Sequence, residues 1–140
     1  MEDCIFCAIA GGKLPASVVH RDDLCAAFMD IRPVNPGHLL VVPLAHAAYL
    51  AELPPEAGAH LFRVAQRLAA ALRTSGVGCE GVNLLLADGE AAGQEVFHLH
   101  LHVIPRYEKD GFGFRYSGSY GRNPDRAELD GIAARIRGRL

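Results

Sequence analysis

Apolar residues recur along this chain in two rhythms, one of strands and one of helices. "SVVH" and "LCAAFMD" are short apolar stretches separated by the turn-like "RDD", which predicts two strands joined as a hairpin. "RPVNPG" is a turn with two prolines, and "HLLVVP" is a nearly continuous apolar run, predicting a central strand stopped by Pro43. From about Pro55 to Ser75 the spacing becomes helical: Leu61, Val64, Ala65, Leu68 and Leu72 fall on one side, Arg63, Gln66, Arg67 and Arg73 on the other. Pro54 and Pro55 suit its start, Gly76 and Gly78 its end. "GVNLLLA" predicts another strand, "DGEAAGQE" a small-residue loop, and "FHLHLHVIP" the last strand. Before them all, "CIFCAIAGG" reads as a short helical turn or loop ended by Gly11 and Gly12. After them, Leu129, Ile132, Ala133 and Ile136 predict a C-terminal helix within about 124–139, with Asp125 and Glu128 placed like a capping box. About five strands in hairpin-like succession, with one long helix and a C-terminal helix, indicate an α+β fold on an antiparallel sheet.

Size and composition narrow the function classes. With 140 residues, no repeat and no linker, the expectation is a single domain over 1–140 with a real core. A net charge of −2 without a Lys/Arg cluster argues against a nucleic-acid surface. No apolar run reaches the roughly 20 residues of a membrane span, and "MEDCIFC" is unlike a signal peptide. A cytoplasmic location is therefore expected, with Cys4, Cys7, Cys25 and Cys79 reduced or metal-bound.

The chemistry concentrates in "GQEVFHLHLHVIPR". His98, His100 and His102 alternate with Leu99, Leu101 and Val103, so on a strand the imidazoles share one face, about 7 Å apart, and the apolar residues face the core. Thr, Lys or Glu would serve a solvated face equally well, so three histidines in register point to chemistry. One option is metal ligation, since imidazole is a common zinc ligand. The other is a nucleophilic imidazole attacking phosphorus, its neighbours orienting it and stabilising the phosphoryl oxygens. The loop before them favours the second: Gly89, Ala91, Ala92 and Gly93 would leave backbone N–H groups free for a phosphate.

These residues also carry a resemblance. "HLHLHVI" matches the His-x-His-x-His-x-x signature of the histidine triad (HIT) superfamily. "AGQEVFHLHLHVIPRY", "AFMDIRPVNPGHLLVVPLAH" and "CIFCAIAGGKLPASVV" resemble the corresponding parts of its HINT-like bacterial nucleotide-binding and hydrolase branch. The likeness covers about residues 4 to 107, with "DGFGFRY" and the final helix also similar to bacterial members.

The resemblance implies a HIT-like fold and a homodimer that hydrolyses purine nucleoside 5′-phosphoramidates or related nucleotidyl conjugates. His100 would be the nucleophile, forming a nucleotidyl-histidine that water hydrolyses; His102 and Gln94 would contact the phosphate and assist the leaving group. Phe6, Ile9, Phe28, Ile31 and His38 would surround the base, with Asp30 accepting the ribose hydroxyls and Gly93 in the phosphate loop. Where relatives usually carry Asn, seven residues before Gln94, this chain has Ala87, so a phosphate or positioning contact would either be lost or be taken over by Asp88 or Asn83. Cys4, Cys7, His46 and His98 would form a closed, structural Cys₂His₂ zinc site, pinning the N-terminal segment to the active strand. Hydrolysis of dinucleoside polyphosphates, or nucleotide binding with little turnover, are the alternatives. Cys25 and Cys79 read as plain thiols, and His20 and His60 show no partner in the sequence.

Overall fold

The computed structural model describes residues 3–140. Five strands form one antiparallel sheet in the order β1-β2-β3-β5-β4: β1 Val18–Arg21, β2 Cys25–Met29, β3 Leu39–Pro43, β4 Gly81–Leu86 and β5 Leu101–Arg106. The three helices are α1 Ile5–Ala10, α2 Pro55–Thr74 and α3 Arg126–Arg137. The fold is thus α+β, as the pattern predicts, with the "HLLVVP" strand at the centre of the sheet.

Because strand side chains alternate, each strand supplies two different cores. On one face Ala27, Leu39, Val41, Leu99, Leu101 and Val103 pack under Leu61, Val64, Ala65, Leu68 and Leu72 of α2, the five positions of the predicted apolar stripe. On the other, Ala26, Phe28, Leu40 and Val42 pack under Phe6 and Ala10 of α1. The prolines begin α2 as expected, with Pro55 in its first turn, where a missing N–H leaves no helical bond unmade. Gly37 holds the β2–β3 turn against the C-terminal end of α2. Its φ is +97°, and a Cβ there would stand 2.9 Å from Val77 and 3.1 Å from Leu72.

Two expectations are corrected. The last strand begins at Leu101 rather than Phe97, so only His102 of the three histidines lies on it. The register that pairs Val41 with Leu101 sets Pro43 opposite Leu99, and proline has no N–H to give. Leu99 donates instead to the Ala47 carbonyl at 2.7 Å, while the alternation of faces persists. The capping box on α3 is half formed: Asp125 accepts the Glu128 N–H at 2.8 Å, but the Glu128 carboxylate pairs with Arg122 at 2.9 Å. None of the residues of α3 is buried. Among the described residues, no helix is long and apolar enough to cross a membrane.

Candidate active site and metal centre

The three histidines have three different surroundings. His98 is fully buried, and its Nε2–H donates to the Pro43 carbonyl at 2.9 Å. That bond fixes the tautomer and leaves the Nδ1 lone pair facing Cys4 Sγ at 3.4 Å and Cys7 Sγ at 3.3 Å. His46 Nδ1 lies 3.3 Å from the same Cys7 sulfur. All four ligand atoms fall within 4.8 Å of one another. A tetrahedral zinc with ordinary bond lengths separates sulfur from nitrogen by ~3.5 Å, so the spacing fits the ion. Cys4 is the N-cap of α1, and a Cys-x-x-Cys pair across the first turn of a helix turns both sulfurs to one side. Burial and the neighbouring Cys4 push the Cys7 thiol upward, and a divalent cation among these groups would reverse that. The Pro43 carbonyl supplies the outer hydrogen bond that orients a ligating imidazole.

His100 uses the same segment differently. Its Nδ1–H donates to the backbone carbonyl of His98 at 2.8 Å, which leaves a lone pair on Nε2. The Phe6 ring stands edge-on to it at 5.2 Å between centroids. His102 is set by a short relay. The Val34 N–H donates to His38 Nδ1 at 3.0 Å, so a neutral His38 carries its proton on Nε2, 2.8 Å from His102 Nδ1. His102 therefore accepts at Nδ1 and keeps its own proton on Nε2. Burial, then the neighbouring His100 and His38, pull His102 down to about 4, so it is neutral near pH 7. Burial likewise lowers His38, against the pull of the Asp30 carboxylate 3.6 Å away.

Both rings border a cleft of about 570 Å³ between α1, the β2–β3 turn and the loop before β5. Its volume lies in the range of small-molecule sites. Of the sequence-derived candidates, Phe6, Ile9, Phe28, Asp30, Ile31, His38, Gly93, His100 and His102 line it. Ile31 is 92% exposed at its rim, an apolar side chain with little of this chain to pack on. Asp30 Oδ1 accepts the Arg32 N–H at 2.8 Å, and its Oδ2 faces His38. His38, expected beside the base, stands behind His102 as its hydrogen-bond partner while still contributing to the wall.

Other candidates go elsewhere. Gln94 is buried in the loop: Nε2 donates to the carbonyls of Ala48 at 2.7 Å and Val96 at 3.2 Å, and Oε1 accepts the Gly89 N–H at 2.7 Å. Neither group suggested to replace the missing Asn does so within the cleft. Asp88 accepts the Leu50 N–H at 3.0 Å, and Asn83 accepts from Arg106 Nη1. Ala87 itself is buried. Of the four amides expected to be free in this loop, those of Gly89, Ala92 and Gly93 bond within it, as does that of Gln94, so the nest is not open at these positions. Cleft residues that the pattern did not single out include Leu14, Pro15, Met29, Leu40 and Val96, together with Arg32 and Glu95, which face each other at 3.6 Å. Val96 continues the alternation one step before His98; the loop after α1 carries no comparable signal.

Comparison with known proteins gives a consistent picture. The HIT domain model matches residues 12–109. A HIT family protein from Bacillus anthracis is 39% identical, with a TM-score of 0.90 over 99% of this chain and 98% of that one. A Zn-bound histidine triad family protein from Mycobacterium smegmatis is 40% identical, with a TM-score of 0.77 over 99% of both chains. The Adenylylsulfatase HINT3 of Arabidopsis thaliana is 38% identical over 109 residues, 78% of this chain and 55% of the plant protein.

Proposed function

The chain belongs to the HIT domain family, and from that premise we propose that it hydrolyses nucleotidyl conjugates, purine nucleoside 5′-phosphoramidates foremost, through a nucleotidyl-histidine on His100. The observation that carries this is the paired proton arrangement. His100 offers a lone pair at Nε2 and His102 an N–H at Nε2, both on one apolar cleft.

The base lies between Phe6, Ile9, Phe28 and Ile31, and Asp30 Oδ2 accepts a ribose hydroxyl. His100 Nε2 forms a bond to the α-phosphorus as the bond to the leaving amine breaks, the amine nitrogen gaining a proton from solvent. The ring that results is an imidazolium, and its Nδ1–H remains on the His98 carbonyl, which offsets the charge. The His102 N–H stabilises the phosphoryl oxygens as they gain charge. Water then cleaves the P–N bond, releasing the nucleoside monophosphate and restoring His100. Gln94 and Gly93 shape the loop at the phosphate end; Gln94 acts by holding Gly89 and Ala48 rather than by touching substrate.

Cys4, Cys7, His46 and His98 hold a structural zinc ion in this reading, supported by the matching ligand spacing and by the Zn-bound mycobacterial relative. When bound, zinc supplies no chemistry to the reaction; it ties α1 to the segment that carries His100. A homodimer completes the reading, supported by the β4 edge of the sheet, unpaired among the described residues, and by Phe62 on α2, 58% exposed; the cytoplasmic location rests on the sequence expectation alone.

The plant relative's name favours a second substrate class, adenylyl conjugates with an anionic leaving group. Dinucleoside polyphosphates belong there, and Arg32 at the rim could receive the charge. Incubating wild type and His100→Ala with adenosine 5′-phosphoramidate, adenylyl sulfate and a diadenosine polyphosphate separates the readings. Turnover of the first in preference, lost in His100→Ala, is the expected result. No turnover of any substrate, with nucleotide still bound, makes the protein a binding module; turnover unchanged in the variant overturns the mechanism.

A further inference from the structure

The β2–β3 turn meets the β5 region at two places. One is the His38–His102 contact beside the cleft. The other lies three residues earlier in the turn, at the buried Asn35. Its Nδ2 donates to the Pro105 carbonyl at 2.9 Å and to Asp110 Oδ2 at 2.8 Å. Both partners are acceptors only, so the side chain must face them with its nitrogen. Asp110 is itself clamped. Arg106 Nε and Nη2 donate to its two oxygens at 2.6 and 2.7 Å, and the Tyr107 and Phe112 amides add to them. That carboxylate is 2% exposed, and the Arg106 guanidinium holds it well below the usual carboxylate range. Arg106 Nη1 also reaches Asn83 on β4 at 2.6 Å, so the brace extends across β5 to the sheet edge. The backbone around Asn35 in turn sets His38. The His38 N–H donates to the Asn35 carbonyl at 3.1 Å, and the adjacent Val34 N–H donates to His38 Nδ1 at 3.0 Å.

We propose that Asn35, held by Asp110 and Arg106, is a positioning residue that sets the proton arrangement of His102 through Val34 and His38. With the Val34 amide in place, His38 carries its proton on Nε2, and His102 keeps its own on Nε2. When that amide draws back, Nδ1 of His38 becomes free to take the ring proton. The bare His38 Nε2 then accepts from His102 Nδ1, and His102 Nε2 is left with a lone pair where an N–H stood. Each neutral ring still holds one proton, so the change is a reversal of tautomers with no change of charge. Asp30 Oδ2, 3.6 Å from His38 Nε2, favours the original order, so loss of the brace mixes the two forms rather than inverting them. The effect on rate rests on the proposed role of His102 at the phosphoryl oxygens, whereas the tautomer itself does not.

Nitrogen-15 NMR of the histidine rings in the full chain at neutral pH reads the tautomers directly. In wild type both His38 and His102 are expected in the Nε2–H form, and a proton on His38 Nδ1 overturns the proposal without any substitution. In Asn35→Ala and Asp110→Asn the His102 signals are expected to move toward the Nδ1–H form. Leu61→Ala, which loosens the opposite face of the sheet, should leave them in place. Unmoved His102 signals in folded Asn35→Ala, or an equal shift in Leu61→Ala, overturn the proposal. Kinetics with adenosine 5′-phosphoramidate give a second reading. Asn35→Ala should lower kcat about fivefold to tenfold with KM nearly unchanged, as the loss of one positioning hydrogen bond does. In a His38→Ala background it should cost nothing more, and additive losses overturn the route through His38. The expected tautomers in a protein that turns over no substrate support the placement of Asn35 and count against the hydrolysis alone.

Discussion

The two faces of the sheet are built from different materials. Under α2 the packing is almost wholly aliphatic and tightly closed, with Val41, Ala65, Leu99 and Val103 all at zero exposure. Under α1 the covering helix is only six residues long, the large side chains are Phe6 and Phe28, and three imidazoles continue the layer. A short helix leaves part of its face uncovered, and the cleft is that uncovered part. The alternation of one segment thus divides its side chains: Leu99, Leu101 and Val103 pack into the aliphatic side, while His98, His100 and His102 face the other. Among the described residues no buried side-chain nitrogen or oxygen lacks a partner, so the polar face is fully bonded rather than loosely packed.

That division can be tested from both sides. The largest effect is expected from His100→Ala, which removes roughly 10⁴–10⁶ of the turnover rate. Mass spectrometry of the quenched reaction should then find no nucleotidyl adduct, while the protein still folds and binds nucleotide. Next comes Leu61→Ala on the α2 face, expected to lose about 2–5 kcal/mol of stability in urea unfolding. Activity per folded molecule should be unchanged, and a parallel fall in kcat would break the proposed separation. His38→Ala acts within the chemical face at one remove. It frees His102 Nδ1, and kcat should fall about tenfold to a hundredfold with little change in KM, the worth of one or two positioning hydrogen bonds.

Acid gives the smallest and most graded effect. His102 lies at about 4 in the folded chain against 6.5 for a free histidine, so the unfolded state takes up the proton first. The stability that the neutral ring contributes is complete above about 6.5 and is lost as the pH falls toward 4. Melting temperature followed across this window should decline more steeply for wild type than for His102→Gln. Equal slopes would show that the buried face carries no titration of this kind.

The elements were largely legible in the sequence because burial periodicity is local. The α2 stripe, the hairpin and the central strand each announce themselves within a few residues. The face shared by the histidines was legible for the same reason, even though the ladder stops at Leu101. Hydrogen-bond partners were not, since they join distant segments. Asn83 meets Arg106, Asp88 meets the Leu50 amide, and Gln94 holds Ala48, contacts that no window of sequence contains. The loop at 89–94 shows the limit most clearly. Its small residues suggest open amides, but whether an amide is free depends on what the loop folds back upon, and here Gln94 folds back on Gly89. His20 and His60 went unread because their common partner Asp22 lies two residues from one and 38 from the other.

The atom that orients His100 is the carbonyl oxygen of His98, and every amino acid has one. Genetic substitution can move that oxygen but can never delete it, so an alanine scan passes over the contact in silence. Only an edit of the main chain itself, such as an ester in place of the amide joining residues 98 and 99, weakens the acceptor while leaving every side chain as it was, and it removes with it the Leu99 N–H that the Ala47 carbonyl accepts. The orientation of the proposed nucleophile is in that sense written in the polymer rather than in its alphabet.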